Sequence, residues 1–137
     1  MKRVTGIGGI FFKCENPEAM KAWYKKHLGI PAGQYGWLFD WSKGMKPGET
    51  GTTTWSTFPA DTTYFSPSSK DFMINYRVDD LEALLKVLAE EGVEVVGEMQ
   101  AFDYGKFGWI MDPEGNKIEL WEPVDQPLVD FEEQGGE

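Results

Sequence analysis

Apolar positions along this chain repeat at two different spacings, every second residue and every third or fourth, and the switches between them predict the elements. Residues 7–14 (IGGIFFKC) are short, apolar and β-prone, and Asn16-Pro17 follows them, a helix-capping side chain ahead of Pro at the first helical position. The pattern predicts a strand feeding a helix. Over residues 17–28 the larger apolar side chains Met20, Trp23, Tyr24 and Leu28 fall on one stripe, and Gly29 supplies the stop. The same grammar returns further on. Residues 72–78 (FMINYRV) are strand-like, and Asp80 with Glu82 offers an acidic helix start. Leu81, Leu84, Leu85 and Leu88 then form the stripe, and Gly92 ends it.

Shifting the first segment by 64 residues lays Cys14 on Val78, Asn16 on Asp80, Met20 on Leu84 and Tyr24 on Leu88, so a βα unit is written twice. Each copy is followed by further strand-like runs. In the first half these are residues 35–41 (YGWLFDW) and 52–58 (TTTWSTF). In the second they are residues 93–98, 106–111 and 117–122, the last pair joined by the turn Asp112-Pro113-Glu114-Gly115-Asn116. Each half reads βαβββ, module 1 over about 5–60 and module 2 over about 71–123, with the Pro- and Ser-containing stretch 59–71 as linker. The expectation is one α+β domain over residues 1–123 and a tail over 124–137.

Composition narrows the chemistry. The chain has 137 residues with one His (His27) and one Cys (Cys14), so a zinc site built from several His or Cys cannot form within it, and neither can an internal disulfide. Net charge is -10, which repels nucleic acid and anionic membrane surfaces; neither is an expected partner. The first residues show no charged stretch followed by a long apolar run, which makes the reduced cytoplasm the expected compartment. Half of the net charge sits in the tail, where Asp125, Asp130, Glu132, Glu133 and Glu137 have no basic neighbour; it reads as a solvated or loosely docked extension. Aromatic residues make up 15% of the chain, more than a core of this size buries fully, and a ligand pocket or a dimer interface would account for them.

Three segments together carry a resemblance: GIFFKCENPEAMKAWYKKHLGI (9–30), NYRVDDLEALLKVLAEEGVEV (75–95) and FGWIMDPEGNKIELWEP (107–123). In this order, and with the internal repeat, the chain resembles the vicinal oxygen chelate superfamily of glyoxalase I, bleomycin-resistance proteins and extradiol dioxygenases. The resemblance implies paired βαβββ modules whose mixed sheets curl into a cleft, in a homodimer. It also implies a divalent metal held by up to four residues, one from the first and one from the last strand of each module. Those positions fall on Gly9, Met73, Glu119 and, across an uncertain gap, the neighbourhood of Trp55. Three of the four lack a suitable ligand, so no metal or other cofactor is expected.

Strand alternation sorts the remaining candidates. With Ile10, Phe12 and Cys14 toward the helices, Phe11 and Lys13 face the cleft; Met73, Asn75 and Arg77 do so in the second module, and Lys117, Glu119 and Trp121 in the last strand. The predicted ligand-binding set is Phe11, Lys13, Trp55, Met73, Asn75, Arg77, Glu119 and Trp121, aromatic walls with a few orienting polar groups. Without a metal, Glu119 needs a hydrogen-bond donor, which Asn75, Lys13 or Arg77 could supply. It either neutralises the cations across the sheet or acts as an anchor for a cationic ligand or as a general base, the one candidate catalytic residue. Tyr104, Phe107 and Trp109 either pack within the strands or close one end of the pocket. His27, at the end of its helix, is expected outside the cleft, and Cys14 is expected as a small buried hydrophobe.

Three readings follow. The first is a metal-independent protein that binds a small aromatic or cationic molecule in the cleft. The second is a lyase, isomerase or dioxygenase of the same superfamily with unconventional metal ligands. The third is a dimeric interaction module working through the acidic tail.

Overall fold

The computed structural model describes residues 10, 12–41 and 50–125. Helix α1 spans Pro17–Leu28, as its apolar stripe predicts. The Asn16 side chain accepts a hydrogen bond from the Ala19 amide at 3.1 Å, and Gly29 ends the helix at φ 68°, a left-handed conformation that favours glycine. Strand β1 (Ile74–Arg77) leads into helix α2 (Leu81–Glu90), whose first turn is closed by Asp80 accepting from the Ala83 amide at 3.2 Å. Strands β2 (Val95–Phe102), β3 (Gly105–Met111) and β4 (Lys117–Pro123) follow as hairpins.

The four strands form one mixed sheet in the order β1-β4-β3-β2, with β1 parallel to β4 and the other pairs antiparallel. The parallel contact follows from the crossover through α2, which a β-α-β connection requires. Ile110, Ile118 and Leu120 point from the sheet to one side, where Met20 and Tyr24 of α1 and Leu81 and Leu88 of α2 cover them; Cys14, Tyr76 and Val78 pack against this core. Gly108 lets α2 come close to β3, since a Cβ there would lie 2.8 Å from Leu85 Cδ1.

Acidic residues hold this layer together. Asp112, buried in the β3–β4 turn, accepts from the Tyr24 hydroxyl at 2.9 Å, from the Asn116 side chain at 2.6 Å and from the amides of Glu114 and Asn116. Glu114 accepts from the amides of Glu15 and Asn16, just ahead of α1, and Glu122 accepts from the Leu81 amide at the start of α2. Burial, with Tyr76 and the Asp112 carboxylate beside it, raises the Tyr24 pKa far above its usual value. His27 lies in the last turn of α1 with Nδ1 3.0 Å from a Glu91 oxygen, outside the sheet.

The first half differs from the strand pattern expected of it. Residues 35–41 and 52–58 make no strand ladder; the pairing seen there is an isolated bridge between Gly33 and Gly36. Of the expected first strand only residues 10 and 12–14 are described, and they are not paired as a strand either. Thr52 and Tyr64 instead bond to side chains of β1, β4 and the segment after it. No described helix is long and apolar enough to cross a membrane.

Candidate functional site

The sheet face turned away from the helices carries two lateral rows of side chains, and the register creates them. Asn75 of β1 and Trp109 of β3 are both paired with Glu119 of β4, and one step along, Arg77 and Phe107 are both paired with Trp121. Neighbours in a row on one face sit within side-chain reach, so six residues from three strands become two clusters of three.

The first row converges on Glu119. Its Oε1 accepts from Asn75 Nδ2 at 2.8 Å; its Oε2 accepts from the Trp109 indole at 2.8 Å and from the Tyr64 hydroxyl at 2.5 Å. Glu119 is 8% exposed, and a carboxylate removed from water to this degree needs such donors. Lys117, also buried, donates from Nζ to the Tyr64 carbonyl at 2.6 Å and lies 5.3 Å and 5.5 Å from the ring centres of Tyr64 and Trp109. Burial lowers the Lys117 pKa, with the Glu119 charge opposing it, and burial together with the Glu119 contact raises that of Tyr64. Phe58 stacks on Tyr64 at 5.4 Å, so residues 58–65 lie over this end of the sheet.

The second row is aromatic. Phe107 and Trp121 stack at 5.8 Å and 9°, and Phe102 and Tyr104 stack at 5.4 Å and 7° beyond them. The Arg77 guanidinium sits between the indoles of Trp121 and Trp41, 5.2 Å from each. It donates to both Asp125 oxygens at 2.6 Å and to the Thr52 carbonyl at 3.3 Å, while the Thr52 hydroxyl donates to Asp125 at 2.7 Å. Burial alone would raise the Asp125 pKa; the bonds from Arg77 and Thr52 and the guanidinium charge outweigh it, and the pKa falls below its usual range.

The structure thus brings together Asn75, Arg77, Glu119 and Trp121 of the expected set. Met73 is half-buried one residue before β1; Lys13 is exposed and takes no part in either row; Trp55 is 77% exposed; Phe11 lies outside the described residues. Of the three donors expected for Glu119, Asn75 is used, Lys13 is not, and Arg77 is paired with Asp125 instead. Trp109 could have been placed opposite Glu119 by counting back from the turn at 112–116. Tyr64 and Asp125 had no such signal, because they reach the sheet from outside its strands. A cavity of about 110 Å³ lined by His27, Leu28, Tyr76, Arg77 and Leu84 among others is small beside the roughly 300–1,000 Å³ of organic-ligand pockets.

A divalent metal does not fit the described residues at the positions the resemblance marks. They offer a thioether at Met73, an indole at Trp55 and one carboxylate whose two oxygens already accept three donors. Among the described residues no three of His, Cys, Asp and Glu come together.

A mixed sheet with both helices on one face and a cluster of polar and aromatic groups on the other makes this an α+β protein. The model of the Glyoxalase-like domain matches residues 9–121, and the chain belongs to that family. The chain resembles TnmS3, an antibiotic binding protein from Streptomyces sp. CB03234, with 21% identity over 90% of this chain and 100% of that one, TM-score 0.53. A protein from the mobile metagenome of V. Pseudocholerae is 15% identical over 89% of this chain and 97% of that one, TM-score 0.56. A glyoxalase/bleomycin resistance protein/dioxygenase superfamily member from Sphaerobacter thermophilus is 28% identical, but that match spans 36% of this chain and 40% of that one, TM-score 0.34. No curated protein matches the chain.

Proposed function

We propose that this protein binds a small aromatic molecule on the sheet face formed by Asn75, Glu119 and Trp109 in one row and Arg77, Trp121 and Phe107 in the next, without a metal. The observation that carries the reading is the convergence of these two rows. Indole and phenyl rings supply contact area, while Glu119, Asn75 and Arg77 supply a few directional polar groups. A ligand takes the place of Tyr64, which reaches Glu119 from the segment 58–65 with a single side-chain bond and is itself 40% exposed. Even without Tyr64, Asn75 engages Oε1 and Trp109 engages Oε2, so Glu119 orients a ligand rather than abstracts a proton. Antibiotic binding by TnmS3, on the same fold, supports a binding reading over a catalytic one. The functional unit is a homodimer, which gives the exposed Tyr35, Trp37, Leu38 and Phe39 a surface to cover.

The test is thermal denaturation against a broad library of aromatic compounds. A ligand present at a hundred times its Kd stabilises by about 2.7 kcal/mol, a shift easily read. No shift with any compound overturns the proposal. Elemental analysis of protein purified without chelators accompanies it: less than about a tenth of an equivalent of metal per chain is expected, and a full equivalent would replace this reading with a metal-dependent one.

A further inference from the structure

Within the ligand face just described, Arg77 stands apart from its surroundings. It projects from the end of β1 between two indoles, is largely removed from water, and its other hydrogen-bond partner is the Thr52 carbonyl. The Glu119 carboxylate nearby is engaged by Asn75, Trp109 and Tyr64. A guanidinium placed this way requires an anion, and its planar fork suits a two-oxygen acid. The acid it holds comes from outside the sheet: Asp125, two residues beyond the end of β4, meets both guanidinium nitrogens at 2.6 Å.

We infer that the Arg77 fork between Trp41 and Trp121 is a carboxylate-binding site, filled in this structure by the chain's own Asp125, and that the protein's ligand is an aromatic carboxylate that displaces it. The inference rests on the binding reading above and names the charged group of its ligand. The chemistry is consistent across the site. The carboxylate replaces Asp125 on Arg77, and the attached ring lies along the stacked pair Trp121 and Phe107. The overall charge of -10 disfavours anions at long range, so selectivity for a carboxylate must come from this direct contact. Asp125 acts as an internal competitor at the high effective concentration of a short tether, and it lowers the apparent affinity by the fraction of time it occupies the fork.

The experiment uses 2-naphthoate and its neutral counterpart naphthalene-2-carboxamide, titrated by fluorescence against the full chain and three variants. Asp125→Asn removes the competing charge while keeping the side-chain shape; Asp125→Ala removes the side chain; Asp103→Asn makes the same charge change at an exposed turn residue. Naphthoate affinity is expected to rise about fivefold or more in both Asp125 variants, the scale of one well-formed ion pair, and less than about twofold in Asp103→Asn. Carboxamide affinity should change less than about twofold in all three. Thermal melts confirm that each variant is folded at the titration temperature. Carboxamide binding with no naphthoate gain in either Asp125 variant overturns the inference and leaves the binding reading standing. An equal gain in Asp103→Asn overturns it as well, since net charge would then explain the effect. If neither probe binds any of the four proteins, the inference falls, and the library screen above decides the binding reading separately.

Discussion

Replacing Glu119 with Ala removes the acceptor that Tyr64, Asn75 and Trp109 share, and the structure indicates which loss dominates. Tyr64 and Asn75 are exposed, so water can take over their bonds. Trp109 is 7% exposed, and its indole N–H would be left dry, at about 1–3 kcal/mol for an unsatisfied buried donor. Lys117, equally buried, also loses the charge that partly offsets its desolvation. Against this, the carboxylate's own desolvation cost disappears. The net expectation is a loss of roughly 2–4 kcal/mol, or about 6–15 °C in Tm for a domain of this size. Glu119→Gln keeps one acceptor and should lose about half as much. Urea denaturation followed by circular dichroism and tryptophan fluorescence measures both, and a cycle with Trp109→Phe isolates the pair, with a coupling of about 1 kcal/mol expected. Variants of Glu119 that both stay within about 0.5 kcal/mol of the parent would refute the view that this carboxylate organises the face.

Three further outcomes are expected. Gly105→Ala should cost roughly 3 kcal/mol or more, because Gly105 has φ 130° and a Cβ there would lie 2.3 Å from the Glu122 carbonyl and 2.6 Å from Trp121 Nε1; Gly29→Ala, with open space around it, should cost less than half of that by the same denaturation assay. Tyr24→Phe should lose about 1–2 kcal/mol by removing the hydroxyl bond to buried Asp112, and an unchanged urea midpoint would contradict it. In alkali, burial raises the folded-state pKa of Tyr24, Tyr64 and Tyr76 above their ordinary 10.0, that of Tyr76 to about 12, so their contribution is present below pH 10 and is lost as pH rises beyond it. Lys117, whose folded pKa burial lowers, acts with the opposite sign below 10.5, but three groups outweigh one, and Tm measured from pH 9 to about 12 should fall.

The helices and the second-module strands were legible because each is specified by neighbours in sequence. Asn16, Pro17 and Gly29 bound α1, Asp80 starts α2, and the apolar stripe at Leu81 and Leu88 supplies the buried face. The first-module runs 35–41 and 52–58 are β-prone but form no ladder among the described residues: β-propensity is local, whereas a ladder depends on a partner strand. That Asn75, Arg77, Glu119 and Trp121 share one face of the sheet is legible from alternation, since facing one side of a strand is a local property. Lys13, expected by alternation, and Trp55, expected from the resemblance, do not join the rows, and both lie in segments that form no strand among the described residues.

What the amino-acid order determined by itself was the alternation that divides β1, β3 and β4 into a helix-facing and an open side, and the scarcity of His and Cys that rules out a zinc centre built from several of them. What only the tertiary structure decided was who meets whom across that open side. The parallel register of β1 on β4 sets Asn75 against Glu119, and long-range closure brings Tyr64 from 55 residues away and Asp125 from 48 residues away onto their partners. Side-chain direction follows from local backbone geometry. The pairing of charges follows from which packing leaves the desolvated groups with donors or acceptors, and that is a property of the whole packed chain.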